Sequence, residues 1–203
     1  KKYFESKEKE EFLFNIVVPL FNAENYIEKC LNSIIRQSYK NFQVQIVDDC
    51  SSDNSFEIAS LISNKHQNLQ INKNLCRLGA LNNISNLLNK KIKNPSKTID
   101  ILVDGDDYLY SGDVLNILNE KYKKTNCLIT YGSHLSSKGV QGRKYPSFVK
   151  NFNLYRQYFW YASHLRTFRH DLWLSIKPCD LLDKKGKYFA VAWDLAIMFP
   201  MLE

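Results

Sequence analysis

Three carboxylates crowd into the four residues Asp104-Gly105-Asp106-Asp107. Like charges that close repel one another unless a cation sits among them. Asp104 and Asp106 are two apart, so an extended backbone turns both to the same side. Gly105 between them lets a ligand approach the main chain. Hard oxygen ligands of this kind suit Mg²⁺ or Mn²⁺, with substrate phosphates completing the shell. A calcium loop of the EF-hand type would need an oxygen ligand at its fifth position, Gly at its sixth and Glu at its twelfth. Those places hold Tyr108, Leu109 and Leu115, which excludes it.

Other residues could serve the same chemistry. Asp48 and Asp49 close an alternating apolar run, Phe42, Val44 and Ile46, and lead into the turn Ser51-Ser52-Asp53, where Asp53 braces the turn. Arg77 offers a guanidinium that can grip phosphate bidentately; a surface arginine is the plain alternative. Asn83 lies on the following helix, facing either a ligand or solvent. In Ser163 to Arg169, alternation puts His164, Arg166 and Phe168 on one face and Leu165, Thr167 and Arg169 on the other. His164 could meet an acceptor or a diphosphate, and Arg166 could steady phosphate. Asp194 opens a late apolar segment, where a helix N-terminus favours a carboxylate. Trp193 and Trp160 could stack on a sugar ring, Trp160 being equally readable as core. His66 and His134 read as surface residues.

The elements that must position these groups alternate strand and helix, which argues for a mainly parallel sheet with helices on both faces. Strands are expected at Phe14–Pro19, 42–46, 69–72, 99–103 and 127–131. Helices are expected at 26–35 (capped by Asn22, with Tyr26 on its apolar face), 56–62, 79–88 and 113–122. Gly132 to Lys150 reads as a long loop, Leu165 to Phe168 as a strand, and Ala192 to Leu202 as an apolar element that ends abruptly, as if a C-terminal segment were cut away. Open α/β sheets bind ligands outside their carboxyl strand ends, and the acidic turn sits at such an end.

The chain has 203 residues, 44% hydrophobic and 24% charged, with a net charge of +7, ordinary for one globular domain. The excess Lys and Arg are scattered, and a positive field would favour a nucleotide diphosphate. No apolar run approaches a membrane span, and the charged Lys1 to Glu11 lacks a signal peptide's apolar core, so a cytoplasmic setting is expected. The five cysteines form no C-x-x-C pair, which argues against zinc. Cys30, Cys76 and Cys127, within or beside apolar segments, read as small buried thiols in a reducing compartment.

Three runs, taken together, resemble family 2 glycosyltransferases: Val17-Val18-Pro19-Leu20-Phe21-Asn22-Ala23-Glu24, Ile46 to Ser55, and Asp104 to Asp107, in that order and at about that spacing. The late segment, Ser163 to Arg169 and Met198 to Glu203, is similar to members from large DNA viruses and bacteria. The resemblance implies an α/β GT-A fold (Rossmann-like, mostly parallel, helix-flanked) with a C-terminal acceptor-side subregion. It implies a single domain, residues 12–131 binding the nucleotide sugar and 132–203 serving the acceptor. It implies an inverting, metal-dependent enzyme that moves a hexose or N-acetylhexosamine from a nucleotide diphosphate sugar, UDP-linked by preference, to a hydroxyl on a glycan or protein. Pro19, Phe21, Glu24 and Asp49 then fall where the family contacts the nucleoside, and Arg77 where it contacts diphosphate or base. Asp104 would touch the sugar nucleotide and share Mn²⁺ or Mg²⁺ with Asp106, while Asp107 would support the turn or a metal-bound water. Asp194 would be the catalytic base, beside Trp193 where the family usually has an acid. Two rivals fit less well. A nucleic-acid-binding module, suggested by the charge and the basic-aromatic stretch Tyr155 to Arg169, leaves the acidic triplet unexplained. A nucleotidyltransferase or pyrophosphorylase would carry a Gly-rich loop where Leu20 to Glu24 has none.

Overall fold

The computed structural model describes residues 11–136 and 139–203; the charged run at positions 1–10 lies outside them. Four parallel strands carry the fold: β1 (Leu13–Leu20), β2 (Phe42–Asp48), β3 (Leu69–Lys73) and β4 (Thr98–Leu102). Each is followed by a helix: α1 (Ile27–Ile35), α2 (Ser55–Ser63), α3 (Ala80–Leu88) and α4 (Val114–Thr125). In α1 the buried residues Ile27, Cys30, Leu31 and Ile34 recur at helical spacing, which lays one apolar stripe on the sheet. Two further strands, β5 (Ile129–Tyr131) and β8 (Arg166–Arg169), complete a sheet of order β3-β2-β1-β4-β8-β5 among the described residues. β8 runs antiparallel to both its neighbours, pairing Leu102 with Arg166. That register brings the first residue of β8 level with the carboxyl end of β4.

Side-chain alternation divides the sheet into two faces. Phe14, Ile16, Val18, Ile99, Ile101 and Val103 pack under α1 with Leu31 and Ile34. Val17, Val47, Leu102 and Phe168 face the other way, toward Ile84 and Leu88 of α3 and toward α7 (Trp193–Leu202). On this second face the strands also bury polar residues. Asn15 donates to Asp100 Oδ1 at 2.7 Å, and Asp100 Oδ2 lies 2.7 Å from His170 Nδ1 on α6 (His170–Trp173). Asp100 is fully buried, so these bonds are what make its position tolerable. Burial nevertheless pushes its carboxyl up, against the pull of His170 and Asn15.

Four expectations are corrected. The stretch expected as a loop contains a hairpin, β6 (His134–Ser136) with β7 (Gly139–Gln141), and a short helix, α5 (Ser147–Asn151). Strands of three residues are too short to leave a periodic trace. Asn22 caps no helix: it adopts a left-handed backbone (φ 48°) and accepts the Ser52 amide at 2.9 Å, a conformation asparagine tolerates. Tyr26 is exposed rather than core, because α1 begins only after it. Cys76 is exposed, standing in a loop where Leu75 is also fully exposed. Among the described residues no helix is long and apolar enough to cross a membrane.

Candidate active site

The carboxyl ends of β1, β2 and β4 open into one cavity of about 360 Å³. The β1 end supplies Pro19, Phe21 and Tyr26; the β2 end supplies Asp49; the β4 end supplies Asp104 and Asp106. Arg77, Gly79 and Asn83 close it from the start of α3, and Trp193 from the start of α7. The floor is set by backbone approach. The Gly105 amide donates to the Pro19 carbonyl at 3.2 Å, and a Cβ on Gly105 would stand 3.0 Å from the Leu20 side chain and 3.2 Å from that carbonyl. A side chain there would force the Leu20 side chain and the Pro19 carbonyl to give by a few tenths of an ångström.

Asp49 is 4% exposed and accepts from the Leu78 amide, the Gly79 amide and Asn74 Nδ2, at 2.8, 2.8 and 2.9 Å. Burial works to raise its carboxyl, but the hydrogen bonds, led by that from Leu78, prevail and hold it below its usual range. Asp49 therefore fixes the Asn74–Gly79 loop, with Gly79 in a positive-φ conformation (89°). The same loop lays the Arg77 guanidinium over the Phe21 ring, 3.9 Å from its centroid, a cation–π contact at the cavity rim. Asn83 is 2% exposed and lines the cavity. Its Oδ1 accepts from Asn74 Nδ2 at 2.7 Å, and its amide helps to hold the Asp49 carboxyl down.

The acidic turn is organised by Arg166. Its side chain is 2% exposed; Nη2 stands 3.4 Å from Asp104 Oδ2 and Nη1 3.5 Å from Asp194 Oδ2. The guanidinium also lies over Trp193, 4.7 Å from the ring centroid. One buried cation thus holds the carboxylate at the end of β4 beside the carboxylate in the first turn of α7. His164 Nδ1 approaches Arg166 Nη2 to 3.0 Å and Asp107 Oδ2 to 3.3 Å. Burial, helped by Arg166, lowers the His164 pKa.

The model for glycosyl transferase family 2 matches residues 15–182. The chain belongs to that family. It is 34% identical over 131 residues to glycosyltransferase GlyA of Streptococcus pneumoniae, covering 64% of this chain and 18% of that protein. It is 30% identical over 138 residues to the poly(ribitol-phosphate) beta-N-acetylglucosaminyltransferase TarS of Staphylococcus aureus, covering 66% and 22%. The solved TarS–UDP complex superposes with a TM-score of 0.65 at 23% identity, over 93% of this chain and 54% of that one. The mannosyltransferase PcManGT of Pyrobaculum calidifontis, solved with GDP-Man and Mn²⁺, gives 0.60 at 19% identity, over 84% and 49%. These likenesses show the GT-A fold. The chain spans about a fifth of the length of these two curated relatives and about half of the two solved chains.

In this family 2 chain, Pro19, Phe21, Asp49, Arg77, Asp104, Asp106 and Trp193 are brought to one cavity, with Asp194 tied to Asp104 through Arg166. Glu24 is not part of that lining; its Oε2 accepts the backbone amide and side-chain amide of Asn54, each at 3.0 Å. Asp53 braces the turn as expected, accepting the Ser55 and Glu24 amides. Trp160 packs edge-on against Phe199, centroids 5.3 Å apart, apart from Trp193. Sequence reasoning underrated three residues. Asn83 is buried where a helix surface was expected. Asp107 and His164 meet each other, and His134 packs edge-on against His164 at 5.7 Å. No local signal announces the Asp107–His164–His134 grouping, because it depends on β8 and β6 returning to the end of β4.

The donor set fits a hard divalent ion. Asp104, Asp107 and His164 present ligand atoms within 4.8 Å of one another, and Asp106 lines the cavity with Asp104. Carboxylate oxygens with a neutral imidazole suit Mn²⁺ and Mg²⁺. Burial pushes the Asp104 carboxyl up to about 6, with Asp107, Asp106 and Asp194 adding to the push and Arg166 opposing it. The folded protein therefore holds a proton there that the unfolded chain, with its lower carboxyl pKa, has released. That contribution is complete below the unfolded value and is lost as pH rises through about 6. A cation must displace this proton. Mn²⁺ is thus expected to raise the melting temperature at pH 7.5 and to lose that effect as pH falls below about 6, measured by thermal unfolding with and without MnCl₂. An equal Mn²⁺ effect at pH 5 and 7.5 would place the ion elsewhere.

Proposed function

We propose that this chain is the catalytic domain of an inverting glycosyltransferase that moves a hexose or N-acetylhexosamine from a UDP-sugar to a hydroxyl on a glycan or protein. In this reading residues 12–131 bind the donor and 132–203 serve the acceptor. One observation carries it: a single cavity joins the acidic turn, the Arg77–Phe21 rim and the Asp49–Asn83 pair, and Arg166 links that turn to Asp194. Family membership supports the reaction class. TarS, solved with UDP and with UDP-GlcNAc, supports a UDP-linked donor.

The base in the uridine lies between Pro19, Phe21 and Tyr26, with Asn83 Nδ2 supplying a donor to a nucleotide oxygen. Arg77 neutralises diphosphate charge. Asp104 would hold the sugar nucleotide and share a divalent ion with Asp106, and Asp107 and His164 would be available as further ligands. When bound, Mn²⁺ or Mg²⁺ neutralises charge on the departing diphosphate. Asp194 takes the proton of the acceptor hydroxyl. The acceptor oxygen then bonds to the anomeric carbon on the face opposite the leaving diphosphate, whose bond breaks, and the configuration inverts. Arg166 keeps Asp194 oriented and prevents it from crowding Asp104.

The test is donor selection. Purified protein with Mn²⁺ and a panel of sugar nucleotides should slowly hydrolyse one UDP-sugar, read by UDP release. Hydrolysis restricted to GDP- or TDP-sugars would overturn the uridine assignment, and no turnover of any sugar nucleotide would overturn the transferase reading of the cavity.

A further inference from the structure

Outside the transferase site the fold gathers aromatic and basic residues between positions 143 and 161 into one surface. Phe148 and Phe152 lie four residues apart across α5, with the Phe152 amide donating to the Phe148 carbonyl at 3.0 Å, so both fall on one side of the helix. The Tyr158 ring meets Phe148 at 5.6 Å and Phe159 at 5.5 Å between centroids. Phe148, Phe152 and Phe159 are 48%, 73% and 74% exposed. Three neighbouring phenyl rings held in water are a standing cost, and a cluster of this kind marks a contact surface.

Along this stretch of chain the charge has one sign, and Glu203 and Asp180 approach it at Arg156. Between residues 121 and 170 the chain carries ten Lys and Arg and no Asp or Glu; every carboxylate side chain lies outside that stretch. Lys144 and Lys150 are exposed, and Arg143 lies 5.9 Å from the Tyr161 ring centroid, next in the aromatic chain. Arg156 is neutralised by Glu203 at 2.6 Å and is not counted. The complementary partner is therefore anionic, and it must also take up phenyl rings that have no hydrogen-bonding group. A soluble polyanion that carries no stacking bases meets the first demand only. The boundary between anionic headgroups and acyl chains meets both.

We infer that this surface, Phe148, Phe152 and Phe159 with Lys144 and Lys150, docks the protein peripherally on an anionic lipid bilayer. The rings enter the headgroup boundary while the ammonium groups stay with lipid phosphates. No residue of the surface belongs to the donor cavity, so the inference stands apart from the transferase reading.

The test is sedimentation of the 203-residue protein with vesicles of phosphatidylcholine alone and of phosphatidylcholine mixed with phosphatidylglycerol. The protein should bind the mixed vesicles, less well at high salt, and leave the neutral ones. Phe148→Ser with Phe152→Ser and Phe159→Ser should weaken binding on the order of ten-fold or more. Lys144→Glu with Lys150→Glu should weaken it comparably. Both variants change exposed side chains, and an unaltered melting temperature and UDP affinity will show that fold and cavity are intact. Failure to bind mixed vesicles would overturn the inference. So would binding indifferent to the three phenylalanines, which is adsorption by charge alone. Retention of single-stranded RNA more tightly than vesicles, lost with the same phenylalanines, would assign the surface to nucleic acid instead.

Discussion

Replacing Asp194 by Asn should lower transfer by about 10²–10⁴-fold, the range general-base groups supply, while leaving UDP affinity nearly unchanged. The amide keeps the shape of the carboxylate and can still sit near Arg166, but it cannot accept the hydroxyl proton. Asp194 stands in the first turn of α7, and its carboxylate reaches Arg166 at 3.5 Å. It does not line the donor cavity, whereas its neighbour Trp193 does. Loss of turnover with retained UDP binding would separate chemistry from donor capture. Steady-state transfer and calorimetric UDP titration on the same preparation supply the two numbers. A variant that retains turnover would move the base elsewhere.

Arg166→Met should affect both stability and pH dependence. Removing one partner of a buried ion pair leaves uncompensated charge; with Asp104 and Asp194 each about a quarter exposed, a loss of about 3 kcal/mol is expected. In a domain of this size that is on the order of 10 °C in melting temperature. Arg166 is also the cation that opposes the upward push on Asp104. Without it the Asp104 carboxyl rises further above about 6, its ionised form appears only at higher pH, and the rising limb of transfer against pH moves to the alkaline side. Arg166→Lys should recover part of both effects, since it restores the charge but not the fork that spans two carboxylates. A Met variant with unchanged melting temperature and unchanged pH profile would show that Arg166 is incidental.

Residues 12–131 were largely legible in the sequence because their signals are local. A buried strand emptying into acids, as at Ile99 to Asp107, needs no knowledge of distant residues, and Gly105 is explained by its own approach to β1. Residues 132–203 were legible in their residue types but not in their partners. Arg166 stood out on the page, and alternation gave its face, yet its contacts arise because β8 inserts antiparallel between β4 and β5. That pairing joins residues more than sixty apart. The same distance hid the meeting of Asp107 with His164, and led to Asp106 alone being grouped with Asp104. Buried polar residues within strands, such as Asn15 and Asp100, resemble solvent-facing positions until His170 is seen to satisfy them. At Glu24, a position favoured by resemblance, the carboxylate accepts from Asn54 at the start of α2.

The central claim is that a divalent ion at the acidic turn joins Asp104 to the donor's diphosphate in the cavity. Titration calorimetry of UDP at pH 7.5, in Mn²⁺ and in chelator, tests it on the wild type and on Asp104→Asn. Tighter binding in Mn²⁺ by about ten-fold or more, with that gain lost in Asp104→Asn, is the predicted result. Equal UDP affinity in Mn²⁺ and in chelator, or a gain that survives the loss of Asp104, would contradict it.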